Sequence, residues 1–297
     1  MNTKIILTLT LLSGLFLACS TSSNSEDDTL TLALTGVDPL QNGFHFEGWV
    51  IIDGSPVTTG KFNIDDTGNL ITLSGSVIPN GTFEVDADLS AATTFILTIE
   101  PSGDTDDIPA ETHHLAGNIS NGSSTLSFAH SASLGNNFSS ASGSYILATP
   151  SDDDNTNENS GIWFLDPSGP SAGLSLPTLP AGWRYEGWAV SGGTPISTGI
   201  FTSASGADAF SGFSGTNNTP PFPGEDFLIN APTGLTFPLN LAGGAAVISI
   251  EPYPDDSPAP YTLKPLVGQI PSDATDRVLY STENNSSSFS SGTVTIN

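Results

Sequence analysis

Residues 46–62 read FEGWVIIDGSPVTTGKF, and residues 185–201 read YEGWAVSGGTPISTGIF. Two further pairs of short segments follow in the same order: LTIEP at 97–101 with ISIEP at 248–252, and LAGNI at 115–119 with LVGQI at 266–270. Because order and spacing are largely kept, two tandem copies of one domain explain the chain better than a single large domain.

The composition favours strands over helices. Charged residues make up only 12% of the 297 residues and hydrophobic residues 37%, which is enough apolar material for packed cores. Ser, Thr, Gly, Asn and Pro fill the intervals, as expected for short strands joined by turns. Trp49 and Trp188 lie in an apolar strand of each copy, where we expect them to anchor a core. The sequence therefore predicts an all-β protein with two tandem β-sandwich-like domains.

The charge balance excludes one class of partner. The chain has 31 Asp and Glu against five Lys and Arg, a formal net charge of −26. Binding to nucleic-acid phosphates requires clustered Lys and Arg, so we expect no nucleic-acid partner. The excess of carboxylates favours solubility and is compatible with divalent cations.

The N-terminus has the pattern of an export signal. Residues 1–18 combine Lys4 with an apolar run that is short for a transmembrane helix, and Ala18 precedes the only cysteine, Cys19. This resembles a bacterial lipoprotein signal, so we predict a signal peptide at 1–18, lipidation of Cys19 and a lipidated tether at 19–29 that holds the protein to the membrane. The alternative is an ordinary cleaved signal with an incidental cysteine.

Within that tether, Ser25-Glu26-Asp27-Asp28 resembles the acidic export signal of bacterial surface lipoproteins. The alternative is a plain charged linker. The two hypotheses differ in whether the protein is exposed at the cell surface.

The two domains are predicted at 30–148 and 162–297. The segment between them, 149–161, reads TPSDDDNTNENSG and should be a solvated, flexible acidic linker. Its alternating oxygen-bearing side chains offer a calcium site as an alternative: Asp152, Asp154, Thr156 and Glu158. The second copy is 12 residues longer than the first between the matched segments, and we place that insertion at 216–226. Phe222, at the predicted tip of this loop, is a candidate binding residue, although a tolerated insertion without function is an equal alternative.

Two glutamates recur in the repeated strands and are candidate binding residues. Glu47 follows His45 by two positions, and Glu186 follows Arg184 in the same way. This spacing places each potential cation on the same strand face as its glutamate. We expect a half-exposed charge pair at the strand end, with a ligand-binding glutamate as the alternative.

A second pair of glutamates, Glu100 and Glu251, ends a strand in each copy, because the proline that follows cannot continue a central ladder. Further carboxylates come directly afterwards: Asp104, Asp106 and Asp107 in the first copy, and Asp255 and Asp256 in the second. Paired carboxylates are the groups that glycosidases use, which makes a glycan hydrolase one alternative. Their separation is not fixed by sequence, and we predict no catalytic residue.

No cofactor or metal site is predicted. His113-His114 is the only histidine pair, its counterparts in the second copy are Lys264 and Pro265, and zinc would need a further ligand. We expect both histidines to be solvated.

Residues 176–201 (LPTLPAGWRYEGWAVSGGTPISTGIF) and 247–270 (VISIEPYPDDSPAPYTLKPLVGQI) resemble the C-terminal extracytoplasmic domain of anti-sigma-K factors. The first copy carries the same pattern more loosely. The resemblance implies the sensor-side fold of that family. Its cytoplasmic sigma-binding segment and membrane-spanning helix have no counterpart here, so direct sigma-factor inhibition is not implied.

These observations predict a non-enzymatic, lipid-anchored protein of the bacterial cell envelope. We expect attachment to the outer membrane, with exposure at the cell surface as a further possibility, and an envelope protein or glycan as the partner. Two alternatives are regulation of an extracytoplasmic-function sigma factor through a membrane partner, and glycan hydrolysis by the strand-end carboxylates.

Overall fold

The computed structural model describes residues 28–169, 171–255 and 257–297. The predicted signal peptide, Cys19 and most of the predicted tether lie outside these residues. The described chain is built almost entirely of β-strands, which confirms the all-β, sandwich-like prediction. Within it no helix is both long and apolar enough to span a bilayer.

The strands of the first half are β1 (Asp28–Thr35), β2 (His45–Ile52), β3 (Ser55–Ile64), β4 (Leu70–Ile71), β5 (Thr82–Val85), β6 (Ala92–Glu100), β7 (His113–Asn118), β8 (Ser123–Ser127) and β9 (Ser142–Leu147). Those of the second half are β10 (Gly161–Trp163), β11 (Leu165–Asp166), β12 (Ser171–Ala172), β13 (Leu174–Ser175), β14 (Trp183–Ser191), β15 (Thr194–Phe201), β16 (Gly224–Asp226), β17 (Ala245–Pro252), β18 (Leu266–Gln269), β19 (Tyr280–Asn284) and β20 (Ser291–Ile296). Short 3₁₀ helices lie at Pro79–Gly81, Leu89–Ala91, Glu158–Ser160 and Ser286–Ser288.

The repeated sequence forms the same three-stranded unit twice. In each half the repeated hairpin, β2–β3 or β14–β15, pairs with one further strand, β6 or β17. Both hairpins carry a bulge, directly after Gly48 and directly after Gly187. Opposite these glycines on the partner strand, Gly60 and Gly199 have φ of 125° and 127°, a backbone conformation that favours glycine. The shared glycines therefore set one bulged hairpin geometry in both copies.

The two large sheets exchange strands. Each has nine strands, the first in the order β4-β3-β2-β6-β7-β8-β20-β1-β5 and the second in the order β15-β14-β17-β18-β19-β9-β10-β16, with β13 also on β9. The C-terminal strand β20 thus lies in the first sheet, where Val294 is buried opposite Leu32. Strand β9, assigned to the first domain by sequence, pairs with β10 and β19 in the second sheet. Strand pairing therefore crosses the predicted division at 149–161.

One hydrophobic core runs through both halves and includes Phe46, Leu115, Trp183 and Ile250. His114 lies fully buried inside it, with its Nε2 2.9 Å from the Ser290 hydroxyl and its ring centroid 5.7 Å from that of Tyr261. Burial lowers the pKa of His114 to about 3. The prediction that this histidine is solvated is wrong, because β7 faces the second half rather than water.

Two boundary predictions also differ from the structure. Strand β1 begins at Asp28, inside the predicted tether, and the Asp28 carboxylate accepts a hydrogen bond from the Leu89 amide at 2.7 Å. In the predicted linker, Thr149, Ser151 and Ser160 are buried, so its ends are not solvated. Their hydroxyl and amide groups have protein partners: Ser151, for example, donates to Asp226 from both its amide and its hydroxyl.

Candidate functional site

In both copies a buried tryptophan begins the same chain of hydrogen bonds, which we call the tryptophan relay. Trp49 Nε1 donates to the Thr98 hydroxyl at 2.9 Å, and Trp188 Nε1 donates to the Ser249 hydroxyl at 2.7 Å. Those hydroxyls in turn donate to the strand-end glutamates Glu100 and Glu251. Both tryptophans are buried, as the sequence predicted.

All four glutamates predicted as binding residues are buried, at 5% exposure or less. Glu47 accepts a hydrogen bond from Thr58 across the hairpin, and Glu186 accepts one from Ser197 at the equivalent position. Backbone amides ten residues downstream donate to Glu100 and Glu251, at 3.1 and 2.8 Å. The prediction of half-exposed glutamates is wrong, because the chain after each strand-end proline folds back over the carboxylates.

In the first copy a lysine contacts two acidic side chains. His45, Glu47 and Asp104 each place a ligand atom within 4.8 Å of the others. Lys61 Nζ lies 3.4 Å from Glu47 Oε2 and 2.8 Å from Asp104 Oδ2. Burial lowers the pKa of His45 and raises that of Glu47, while the hydrogen bond from Lys61 lowers the pKa of Asp104. We call His45, Glu47, Lys61 and Asp104 the first cluster. Its cation, Lys61, belongs to the protein itself.

In the second copy Glu186, Glu251 and Asp255 place carboxylate oxygens within 4.8 Å of one another. We call them the second cluster. Burial raises the pKa of Glu186 to about 7 and that of Glu251 to about 8. Ile200 occupies the position of Lys61: Ile200 pairs with Glu186 across the hairpin as Lys61 pairs with Glu47. The copies therefore share the carboxylates and differ in the cation.

The predicted charge pair between Arg184 and Glu186 is not formed. The Arg184 guanidinium donates to the Trp183 carbonyl at 2.8 Å and lies over the Tyr253 ring at 4.6 Å. Burial lowers the pKa of Lys264, and the nearby charge of Glu251 raises it by a smaller amount. Within the described part of the chain, neither Arg184 nor Lys264 has an ion pair within 4 Å.

Phe222 lies elsewhere in the second half. It is only 9% exposed and packs with Ile146, Trp163 and Leu165, so the prediction of an exposed loop tip is wrong. The insertion is anchored because its last residues form the edge strand β16 beside β10. With Phe210 and Trp163, Phe222 lines a cavity of about 290 Å³.

A larger apolar depression adjoins this cavity and shares Phe210 with it. It has a volume of about 460 Å³, and we call it the insertion groove, lined mainly by Pro195, Ile196, Phe210, Phe213 and Leu235. Phe210 is 39% exposed in the wall of the groove. Sequence reasoning missed the groove, because its lining comes from four separate segments of the chain.

Comparison of the chain with protein-family models, curated proteins and solved structures finds no match. The resemblance to anti-sigma-K factors therefore stays a prediction. The alternative of a calcium site in the linker finds no support, because the metal-capable groups among the described residues are His45, Glu47 and Asp104 of the first cluster and the second cluster.

Proposed function

We propose that the protein is a non-enzymatic binding protein of the bacterial cell envelope, held to the outer membrane through a lipid on Cys19. The observation that carries the binding role is the insertion groove, an open apolar depression with Phe210 exposed in its wall. Contiguous exposed apolar surface marks protein-interaction sites and ligand-binding grooves. The resemblance to an extracytoplasmic sensor domain supports the same role.

The groove favours a protein partner over a glycan. Its walls are mostly proline, phenylalanine and aliphatic side chains, whereas sugars are held by arrays of polar side chains beside an exposed ring. We therefore expect an envelope protein that inserts an apolar side chain into the groove. The net charge of −26 favours a partner whose flanking residues are neutral or basic.

The burial of the glutamates supports a non-enzymatic role. Glycoside hydrolysis requires two carboxylates on either side of a bound sugar. Glu186 and Glu251 are almost wholly enclosed by protein, which leaves no room for a sugar ring between them. A glycan hydrolase is accordingly not proposed.

Site-specific crosslinking tests the partner hypothesis. A photoreactive residue placed at Phe210 should give one discrete protein adduct on intact cells. The same residue at Leu73, 57% exposed in the first half, is the matched control and should not give that adduct. Phe210→Ala should then weaken binding of the identified protein by about tenfold or more, as for a central aromatic contact. Equal labelling at both positions, or recovery of carbohydrate instead of protein, would contradict the proposal.

The lipid anchor has its own test. Cys19→Ala should move the protein from the membrane fraction to the soluble fraction. For surface exposure, Glu26 and Asp27 should be replaced by Ala while Asp28 is kept, because Asp28 holds the Leu89 amide in the fold. Loss of protease sensitivity on intact cells would support the export signal, and unchanged sensitivity would reject it.

A further inference from the structure

We propose that the second cluster is a calcium site, with Glu186, Glu251 and Asp255 as its protein ligands. One carboxylate oxygen from each residue lies within 4.8 Å of the others. Calcium binds oxygen ligands at about 2.3–2.6 Å, so two ligands on opposite sides of one ion are about 5 Å apart. The three carboxylates are therefore close enough to share a single ion.

Unsatisfied oxygens provide an independent observation. Glu186 and Glu251 are 5% and 1% exposed, and the Oε2 atom of each is buried without a hydrogen-bond partner. A buried acceptor without a partner destabilises the fold, and more so when it is charged. The other oxygen of each carboxylate is already fixed, by the Ser197 hydroxyl and by the Tyr261 amide. The carboxylates are thus held in place, each with an oxygen available to a cation.

The first cluster shows what such a cation does in this fold. There the Lys61 ammonium contacts both Glu47 and Asp104. In the second cluster Glu186 has Ile200 opposite it instead, in the same hairpin register. We infer that an ion from solvent takes the place of the lysine.

The ligand chemistry selects the ion. The second cluster contains only carboxylates, the hard oxygen ligands that calcium prefers, and has no imidazole or thiolate to favour zinc or copper. Asp255 is exposed and gives the ion a route from solvent, with waters completing the shell.

Thermal unfolding of the intact chain tests this site. If the dissociation constant is about 10⁻⁴ M, within the range of extracellular calcium modules, 10 mM CaCl₂ should raise the melting temperature by about 5–10 °C. Terbium, a calcium substitute, should show luminescence sensitised by tryptophan, because Trp188 is joined to Glu251 through Ser249. Magnesium and sodium at equal ionic strength should give much smaller shifts.

Glutamine variants locate the ion. Glu186→Gln and Glu251→Gln keep the shape of each side chain and should abolish both the calcium shift and the terbium signal. Glu47→Gln in the first cluster is the matched control and should retain both. The proposal is overturned if wild type shows no calcium shift, if magnesium gives an equal shift, or if the glutamine variants of the second cluster respond like wild type.

Discussion

The first and second clusters share a scaffold and differ in how they neutralise charge. Both contain a buried glutamate of the repeated hairpin, Glu47 or Glu186, and both add an aspartate from the loop after the strand-end proline. In the first, Lys61 lies opposite Glu47 and supplies a fixed cation; in the second, the apolar Ile200 lies opposite Glu186. On our proposal, this one difference in a duplicated hairpin separates a self-contained ion pair from a site that takes up an external ion.

The largest expected effect comes from removing the fixed cation. Lys61→Met should lower the free energy of unfolding by about 3 kcal/mol, because it leaves the buried Glu47 without its partner. We take the lower end of the range for buried pairs, since the Lys61 side chain is 26% exposed. Urea unfolding measures the loss. Lys61→Arg is the control and should retain most of the stability.

Lys61→Met also tests whether the two clusters become alike once the lysine is absent. With the lysine removed, His45, Glu47 and Asp104 resemble the second cluster, so calcium should restore part of the lost stability. A loss below about 1 kcal/mol, the value typical of a surface pair, would show that the first cluster does not depend on its lysine.

The next effect is a pH dependence to which the second cluster contributes. Burial raises the pKa of Glu186 to about 7 and that of Glu251 to about 8, so the folded state binds more protons than the unfolded state above pH 4.5. Stability without calcium should therefore fall as pH rises. Between pH 6.5 and 8.5 we expect the melting temperature to drop by about 4 °C or more.

That pH window is shared with two other carboxyl groups, because burial also raises the pKa of Asp208 and that of Glu225 to about 7. The pKa of His114 is lowered from 6.5 to about 3, so this histidine makes stability depend on pH only below pH 6.5. The negative charges of Asp255 and Asp208 add to the shift of Glu186. Calcium, or Glu186→Gln together with Glu251→Gln, should reduce the drop, and the part that remains belongs to Asp208 and Glu225. A melting temperature that is flat from pH 6.5 to 8.5 without calcium would contradict the assignment.

The smallest expected effect tests what the copies share. Trp49→Phe and Trp188→Phe each remove one indole hydrogen bond to a buried hydroxyl, at 2.9 and 2.7 Å. Each should cost about 1–2 kcal/mol of unfolding free energy. Chemical denaturation of both variants provides the measurement. Costs that differ severalfold would show that the two relays are not equivalent.

Much of the fold is readable from the sequence, because the repeat, the turn residues and the alternating apolar positions are local signals. The strand exchange is not, since β9 and β20 are short strands whose pairing depends on distant partners. The burial of His114 gave no local signal either, because its neighbours Tyr261 and Ser290 come from the other half.

For the candidate sites, sequence identified the four glutamates but not their environment. The contrast between Lys61 and Ile200 is visible in the aligned repeats. Its meaning depends on the cross-strand register that sets each beside a glutamate. Spacing also suggested His45 and Arg184 as the cations, whereas in the structure Arg184 turns to Trp183 and Tyr253.

Calcium dependence of the melting temperature in Ile200→Lys tests the central claim most directly. This substitution gives the second cluster the fixed cation of the first. We expect the variant to be more stable than wild type without calcium and to gain nothing when calcium is added, while wild type gains about 5 °C or more. A variant that keeps the wild-type calcium shift, or a wild type that shows none, would contradict it.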